Sequence, residues 1–462
     1  MVSTSSLVNA TKQKDTLTEN MAVTHSTSLN TVVDLFFIAG ASRSLTDARI
    51  KQMLEKSWAE DPLLTMKVIF WAGNCRGGAG ERRFFRLALK WAEENYEDSL
   101  VKNLALVPQF NRWDSLFHLK FENIINLIHK GLKKKDGLLG KWLPRKKQYG
   151  NLASEIRKDM KMTPKQYRKM VVELSKTVEQ QMCAKNWPDI NYSHVPSVAM
   201  NKYRKAFFRN DNTRFAQFIA KAVKGETKIN AAVLFPYQLF QAMERGEDKN
   251  AIEAQWKALP DYLKDTDEKI LPVCDVSGSM QGLPLAISVS LGLYLSERNK
   301  SIFKDAFVTF SGSPTMEYLK GTVVQRMKQL EEAHWDGNTD LNAVFELLLK
   351  RAVAESVPES EMPTMILIIS DMEFDGCAQL TNYENIVKKY TSAGYTIPKI
   401  VFWNVNAHSG RNVPVSAKSK NVALVSGATA AVIKGVLTGK DFSPYGIMLE
   451  TLDNAVYDVV KV

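Results

Sequence analysis

The C-terminal part of the chain alternates short apolar runs with longer amphipathic stretches. Residues 270–274 and 365–370 are almost wholly apolar, which predicts buried strands. Further strands are predicted at 301–310, 398–403 and 421–425. Helical patterns between and after the strands are predicted at 283–297, 322–330, 341–354, 383–393, 428–437 and 445–460. Strands that alternate with helices predict a doubly wound α/β domain with a parallel sheet, here over residues 268–462.

The chain before residue 268 shows only the helical period. Within residues 46–60, the side chains of Ile50, Met53, Leu54 and Trp58 form the stripe of an amphipathic helix. Similar helices are predicted at 29–39, 62–71, 80–94, 100–106, 124–132, 165–182, 211–223 and 251–259. Many short helices with short connections predict stacked helix pairs over residues 29–267, an α-solenoid of HEAT-like repeats, although no clean sequence repeat is found. Residues 1–28 are rich in Ser and Thr and lack the apolar core of a secretory signal, so we expect a flexible N-terminal arm.

Polar side chains follow directly on the first predicted strand of the α/β domain. Asp275, Ser277 and Ser279 place a carboxylate and two hydroxyls at the strand's carboxyl end, where open α/β sheets bind ligands. These are hard oxygen ligands, which suit Mg²⁺ better than zinc or copper. The alternative is a helix N-cap at Asp275 or Ser277, and this motif alone leaves both open.

Two further segments place polar side chains in the same structural context. Thr339, in Gly337-Asn338-Thr339-Asp340, stands at the start of a predicted helix, and Asp371 ends the second apolar run. The order and context of these pieces together are far more specific than any one of them. The predicted metal ligands are Asp275, Ser277, Ser279, Thr339 and Asp371. Asp340, Glu373 and Asp375 lie nearby and are either part of the site or solvated charges on loops. We favour the solvated interpretation for Asp375, and Asp340 could instead cap the helix.

The net charge of +11 is concentrated in one segment. Residues 130–224 carry 23 Lys and Arg against 7 Asp and Glu, so the rest of the chain is net acidic. A concentrated basic patch with interleaved aromatic residues is typical of a nucleic-acid surface, because cations hold phosphates and rings stack on unpaired bases. The predicted contacts are Lys133, Lys134, Lys135, Lys141, Arg145, Lys146, Lys147, Arg168, Lys169, Lys202, Arg204, Lys205, Arg209 and Arg214.

The alternative is a solvated helix face whose rings point into the core. We favour that core placement for Phe207 and Phe208, while Trp142, Tyr149 and Tyr203 remain candidates for stacking.

A glycine-rich loop, residues 76–83, leads into a predicted helix. A phosphate could lie on such a helix N-terminus. The loop lacks the Lys-Ser/Thr ending of a P-loop, so we do not interpret it as an NTPase motif. A turn between helices with Glu81 as a cap is an equally good interpretation.

Cysteines and histidines add no further site. Cys75, Cys183, Cys274 and Cys377 are not spaced as CxxC pairs, which indicates free thiols in a reducing compartment and predicts a cytoplasmic protein. The six histidines form no recognisable triad or metal spacing. No apolar run in the 462 residues reaches the length of a membrane span. We therefore expect a binding protein and not an enzyme, without a membrane partner.

The metal-site residues resemble the metal-ion-dependent adhesion site of von Willebrand factor A domains, over about residues 268–462. The resemblance implies Mg²⁺ held by the five residues named above, with one position open for an acidic group of a partner. The whole chain from residue 29 resembles the TROVE module joined to an A domain, as in Ro-type ribonucleoproteins and their microbial, viral and plant relatives. The segments that carry this second resemblance are residues 74–83, 107–114, 163–168, 195–200, Tyr203, 206–207 and 275–280.

The second resemblance implies a helical ring closed by the A domain, with small structured or defective RNAs bound in and around it. The predicted function is therefore RNA binding without chemistry, by a monomer. The alternative is a Mg²⁺-dependent scaffold whose A domain captures an acidic protein partner without RNA. An RNA-processing nuclease ranks last, because it would need clustered carboxylates for two metals and one cluster is visible.

Overall fold

The computed structural model describes residues 16–145, 149, 151–231, 233–310, 313–333, 339–376, 381–408 and 410–462. Its first part is helical. The helices are α1 Thr31–Ala39, α2 Asp47–Glu60, α3 Pro62–Gly73, α4 Arg82–Asn95, α5 Glu97–Asn103, α6 Val107–Phe110, α7 Phe121–Lys133, α8 Gly137–Trp142, α9 Leu152–Asp159, α10 Pro164–Ser175, α11 Val178–Cys183, α12 Ser197–Asn210, α13 Asn212–Val223, α14 Pro236–Glu244 and α15 Lys249–Lys257.

Side-chain caps fix many of the helix starts. Thr46 accepts from the Arg49 backbone N–H ahead of α2, and Asp61 caps α3 with Pro62 at its first position. Thr163 and Gln166 form a capping box on α10. The helix predicted over 165–182 is in fact two helices, because Lys176 adopts a left-handed conformation with φ of 38° and ends α10.

The second part holds a six-stranded sheet with helices around it. The strands are β3 Ile270–Cys274, β4 Ala306–Thr309, β5 Met316–Tyr318, β6 Met365–Ser370, β7 Lys399–Asn404 and β8 Val422–Ser426, in the order β5-β4-β3-β6-β7-β8. The helices are α16 Leu283–Arg298, α17 Val323–Glu331, α18 Leu341–Ala354, α19 Asn382–Ser392, α20 Ile433–Thr438 and α21 Pro444–Leu452.

The sheet is mixed, which corrects the prediction of a parallel sheet. β3, β4, β6, β7 and β8 pair in parallel, but β5 is an antiparallel edge strand on β4. The central strands are buried throughout because helices cover both faces. β3 lies where the strand order reverses direction, between β4 and β6.

Both ends of the helical part contact the α/β domain. At its start, the Ser426 hydroxyl at the end of β8 donates to the Phe36 carbonyl of α1 and accepts from the Gly40 backbone N–H, at 3.0 Å each. A Cβ on Gly40 would lie 2.7 Å from the Ser426 backbone, so this close approach requires glycine. At its end, the Trp256 indole donates to Glu297 of α16 at 2.5 Å. The first and the last helix of the helical part therefore both contact the α/β domain.

The segment predicted as a loose arm is ordered where it is described. Residues 16–17 and 23–24 form a two-stranded antiparallel ribbon, β1 and β2. Beyond it, His25 pairs with Val413 of the α/β domain through two backbone hydrogen bonds, of 3.2 and 3.0 Å. The prediction of a flexible arm is therefore wrong for residues 16–28, while residues 1–15 lie outside the described part. Among the described helices, none combines the length and apolar character needed to cross a bilayer.

Candidate metal centre and basic residues

Two carboxylates stand at the carboxyl ends of adjacent parallel strands. Asp275 follows β3 and Asp371 follows β6, and both are buried. This is the point at which the strand order reverses, where connecting loops diverge and leave a crevice in α/β folds. The sheet therefore brings together residues that lie almost a hundred positions apart in the sequence.

Asp275 is held by hydroxyl and backbone donors. The Ser370 hydroxyl donates to its Oδ2 at 2.6 Å, and the Ser277 backbone N–H donates to its Oδ1 at 2.9 Å. The Ser277 and Ser279 hydroxyl oxygens lie 3.1 Å apart, next to this carboxylate in the chain. Asp275, Ser277 and Ser279 thus form one connected group, as predicted from the motif.

The two carboxylates influence each other electrostatically. Burial, and then the negative charge of Asp371, raises the pKa of Asp275 to about 6. On its other side, Asp371 Oδ2 lies 2.9 Å from the His408 Nε2 atom. The hydrogen bond to Asp371 raises the pKa of His408. His408 was not predicted, because nothing in its spacing connects it to Asp371.

Thr339 is fixed by the loop that follows β6. Its hydroxyl donates to the Glu373 carbonyl at 2.8 Å, and its backbone N–H donates to Asp375 Oδ2 at 2.9 Å. Asp375 therefore positions Thr339, which corrects the favoured interpretation of Asp375 as a solvated loop charge. Asp340 accepts from the Ala343 backbone N–H at 3.0 Å, so it caps α18. Gly337 and Asn338 lie outside the described residues.

Glu373 is also built into the site. Its side chain is buried and accepts from the Asn412 amide at 2.5 Å and from the Glu19 backbone N–H at 2.7 Å. Its own backbone N–H donates to Asp371 Oδ1 at 3.2 Å. Glu373 thus links the metal-site loop to the N-terminal segment and is not a solvated charge.

The donor set fits Mg²⁺. Two buried carboxylates whose charges repel each other lie beside a pair of serine hydroxyls, all oxygen donors. No cluster of three His, Cys, Asp or Glu side chains that could hold a metal occurs among the described residues, so a metal here would depend on hydroxyl ligands as well as carboxylates. A divalent cation would offset the repulsion between Asp275 and Asp371.

A turn of the N-terminal segment, residues 18–21, lies against this centre. The Asn20 amide donates to the Thr339 hydroxyl oxygen at 3.0 Å and to the Glu373 carbonyl at 2.9 Å. The Thr18 hydroxyl donates to the Phe374 carbonyl at 2.6 Å, and the Gly376 backbone N–H donates to the Asn20 carbonyl at 3.1 Å. We call residues 18–21 the N-terminal turn. No sequence signal indicated it, because its contacts span more than 300 positions.

Replacing Asn20 by alanine tests how the N-terminal turn acts on the metal centre. The amide occupies a lone pair of the Thr339 hydroxyl oxygen, the atom predicted to face the metal. We expect Asn20→Ala to raise Mg²⁺ affinity by about threefold to tenfold, while the loss of two hydrogen bonds lowers the stability of the metal-free protein by about 1–2 kcal/mol. Titration calorimetry and urea unfolding measure the two effects.

Thr24→Val is the matched control for this change. The Thr24 hydroxyl donates to the Val413 carbonyl at 3.0 Å, in the same segment but away from Thr339. This variant should lose stability and keep its Mg²⁺ affinity. Unchanged or weaker Mg²⁺ affinity in Asn20→Ala would show that Asn20 supports the site instead of competing for Thr339.

Nine of the predicted nucleic-acid contacts have no carboxylate partner. They form no ion pair among the described residues, and all but the half-buried Lys141 are exposed. We call them the basic set: Lys133, Lys134, Lys135, Lys141, Arg145, Arg168, Lys202, Lys205 and Arg209. Of these, Arg145 donates to the Ser175 hydroxyl at 3.2 Å. The set divides between α7–α10 and α12.

The other five predicted nucleic-acid contacts are buried, paired with a carboxylate or outside the described residues. Arg204 is buried beside Glu247 and Gln255, so it is unavailable to phosphate, which corrects its inclusion. Arg214 is held by Asp211 and by the carbonyls of three residues between 187 and 190. Lys169 lies 3.8 Å from Glu173 in an exposed pair, which is weak. Lys146 and Lys147 lie outside the described residues.

The aromatic side chains of the basic segment agree only in part with the sequence prediction. Phe207 is buried, and Phe208 packs against the same small core. The Tyr149 hydroxyl donates to Asp114 at 3.1 Å. Trp142 is half-buried and carries the Arg112 guanidinium over its ring at 3.9 Å. Tyr203 is also half-buried, with Lys202 Nζ 5.0 Å from its ring centre, so Trp142 and Tyr203 both have a partly open ring beside a cation.

Two protein-family models match the chain. A family model described as a domain of unknown function, DUF2828, matches residues 18–115 and 115–268. The chain belongs to the DUF2828 family. A second model, DUF7788, also described as a domain of unknown function, matches residues 269–454 of this DUF2828 protein. The two matches meet at the start of the α/β domain.

Two individual proteins are similar to this DUF2828 protein. An uncharacterised protein of Acanthamoeba polyphaga mimivirus is 26% identical over 505 residues, covering 96% of this chain and 88% of the viral protein. The crystal structure of the Deinococcus radiodurans Ro (RSR) protein aligns over 91% of this chain and 93% of its own, with 11% identity. Its TM-score of 0.38 is too low to establish a shared fold.

Proposed function

We propose that this protein binds RNA through its basic set and holds Mg²⁺ at the oxygen site of its α/β domain. The observation that carries the proposal is the basic set, whose nine cationic side chains lack carboxylate partners among the described residues. Cations that are not neutralised within the fold are available to a polyanion. The TROVE-like sequence segments point to the same ligand class.

Phosphate contacts of this kind bind without reading sequence. Counterions are released when lysines and arginines neutralise phosphates, so affinity should fall steeply as salt rises. Loops and unpaired ends should be favoured over duplex, since A-form RNA exposes little of its bases to side chains. The proposed ligand is therefore a small structured RNA with single-stranded segments.

The first test is a gel shift with such an RNA, carrying a single-stranded 3′ tail, at several salt concentrations. Changing Lys133, Lys134 and Lys135 together to Glu should weaken binding at least tenfold. It should also reduce the slope of log affinity against log salt by about 0.7–0.9 per lost phosphate contact. The three lysines make no described ion pair, so the fold should be retained.

A variant with the same charge change elsewhere is the control. Lys304, Lys388 and Lys418 are exposed on the α/β domain and form no ion pair among the described residues. Their change to Glu should leave RNA affinity within about twofold, because exposed charges more than about 10 Å away are screened. An equal loss in both variants would mean that net charge, and not the basic set, determines binding.

A second function is favoured by the N-terminal turn. Residues 18–21 show that the face of the metal centre accepts a polypeptide through hydrogen bonds to Thr339 and Glu373. The α/β domain could dock an acidic protein partner there, with Mg²⁺ joining the two. If the intact protein binds no RNA even at low salt, this docking function becomes the better account.

A further inference from the structure

The helical part contains a cavity of about 600 Å³ whose wall is rich in arginine. Six arginines line it, against one acidic side chain, Glu81. These arginines are Arg43, Arg76, Arg82, Arg83, Arg86 and Arg112. None belongs to the strongly basic segment 130–224, so charge density along the chain did not reveal them.

Carboxylates neutralise only part of this charge. Arg43 lies 2.6 Å from Glu81, Arg83 pairs with Asp47, and Arg86 and Arg112 share Asp114 at 2.6 and 2.5 Å. Arg76 donates to the Gln109 carbonyl at 2.9 Å, which leaves its charge unpaired. Three carboxylates therefore pair with four of the six guanidinium groups, and Arg76 and Arg82 have no carboxylate partner among the described residues.

Arg82 is the least satisfied of the six. Its side chain forms no hydrogen bond or ion pair with the residues that the structure describes. Arg82 is exposed to solvent, and desolvation by its neighbours, followed by the positive charges of Arg112 and Arg86, lowers its pKa. A cation held beside two others without a partner favours an anion in the cavity.

The glycine-rich loop before α4 forms part of the cavity wall. Arg82 is the first residue of α4, a helix of 14 residues whose N-terminus follows the glycine-rich loop. Gly80 in that loop has φ of +71°, and a Cβ there would lie 2.6 Å from the Phe235 ring on the facing wall. Only glycine allows this approach. Glu81 is the N-cap of α4 and accepts from the Arg83 backbone N–H at 3.2 Å, so a carboxylate already occupies this helix N-terminus and the loop gives the cavity its shape, while the arginines give it its charge.

Aromatic side chains also line the cavity. Trp142 of α8 lies there with Arg112 over its ring at 3.9 Å, and Tyr237 of α14 lines the cavity as well. Aromatic rings and stacked guanidinium groups are the surfaces on which unpaired bases stack. The volume lies within the roughly 300–1,000 Å³ typical of small-ligand sites. Phosphate-binding and base-stacking groups therefore line the same cavity.

We propose that this cavity binds a nucleotide that carries a terminal phosphate, with the phosphate at Arg76 and Arg82 and the base against Trp142. A terminal phosphate carries about −1.5 to −2 charge at neutral pH, more than an internal phosphodiester, which matches two unpaired arginines. The nucleotide is either the phosphorylated end of an RNA strand or a free nucleotide. No member of the basic set lines the cavity, although Lys141 Nζ lies 5.8 Å from the Trp142 ring.

The experiment uses the full chain and fluorescence anisotropy at constant salt. A short single-stranded oligoribonucleotide is compared with a 5′-phosphate, a 3′-phosphate and hydroxyl ends, and adenosine monophosphate and inorganic phosphate are added as competitors. If the ligand is a strand end, we expect the strand with one phosphorylated end to bind at least tenfold tighter than the hydroxyl-ended strand. If the ligand is a free nucleotide, we expect calorimetry to detect binding of adenosine monophosphate, with inorganic phosphate binding at least tenfold more weakly. The first outcome identifies a strand end, the second a free nucleotide.

Two variants distinguish the cavity from the basic set. Arg76→Gln with Arg82→Gln should abolish the phosphate preference and nucleotide binding. The melting temperature should change little, because Arg82 forms no hydrogen bond or ion pair with the described residues and Arg76 forms only an exposed hydrogen bond to the Gln109 carbonyl. Changing Lys133, Lys134 and Lys135 to Glu should weaken all strands alike and keep the ratio. The proposal is overturned if no phosphate-bearing ligand is preferred, or if the preference survives the double arginine variant. Because the nucleotide arm needs no strand binding, it remains decisive even if the proposed RNA function fails.

Discussion

Asp275→Asn should abolish the stabilisation that Mg²⁺ gives to the protein and should make the metal-free protein more stable. The carboxylate is buried next to Asp371, and each charge disfavours the other. Asparagine removes one of the two charges and keeps an oxygen that can accept from the Ser277 backbone N–H. The Ser370 hydroxyl can rotate to accept from the new amide. The same substitution therefore changes stability in opposite directions with and without metal.

The measurement is thermal unfolding in chelator and in excess Mg²⁺. At a metal concentration 100 times the Kd, binding adds about 2.7 kcal/mol to the folded state, and this gain should vanish in the variant. Asp441→Asn is the control, because Asp441 is an exposed carboxylate 2.9 Å from Lys420 and remote from the site in the chain. It should keep the full Mg²⁺ gain. A gain that survives Asp275→Asn would place the metal elsewhere.

The strands that carry this site were predictable because they are buried on both faces. A run such as Met365–Ser370 has a single polar residue, Ser370 at its end, so its length and bounds are visible in the sequence alone. β5, Met316–Tyr318, was missed because it has three partly exposed residues and pairs only at the sheet edge. Its antiparallel direction depends on a short connection from β4, which leaves no hydrophobic pattern.

The metal centre was predictable only where its residues follow strands or begin helices. Asp275 and Asp371 could be placed together because parallel strands end at the same edge of a sheet. His408 and Asn20 reach the same place from a loop and from the N-terminal segment, and their spacing in the chain contains no information about that contact. Loop paths depend on tertiary packing, which local pattern does not describe.

Charge density identified a basic segment but not the direction of each side chain. On α12, Met200, Arg204 and Phe207 are spaced by four and three residues, and all three are buried. The helical period therefore places Arg204 on the apolar stripe and Lys205 on the adjoining exposed face. A charge count treats Arg204 and Lys205 alike, whereas their positions in the helical period distinguish the buried residue from the exposed one.

Arg204→Gln and Lys205→Gln should separate structure from binding, because both remove one positive charge at neighbouring positions. Arg204 Nη1 lies 3.3 Å from Glu247, and its Nη2 donates to Asn201 at 3.1 Å and to Gln255. Breaking a buried ion pair typically costs 3–5 kcal/mol of folding stability. For Arg204→Gln we expect a loss of about 3 kcal/mol, because Arg245 remains 2.9 Å from Glu247 and still pairs with it. Lys205→Gln should change stability by less than about 0.5 kcal/mol.

RNA affinity should show the reverse order. Lys205→Gln should weaken RNA binding and lower the salt slope by up to about 0.9, as expected for one lost phosphate contact. Arg204→Gln, measured where it remains folded, should bind RNA as tightly as the parent chain. Chemical denaturation and anisotropy at several salt concentrations give both quantities for each variant. If Arg204→Gln lost RNA affinity at unchanged stability, the side chain would have to leave the core to meet phosphate, and its burial beside Glu247 would not describe the RNA-bound protein.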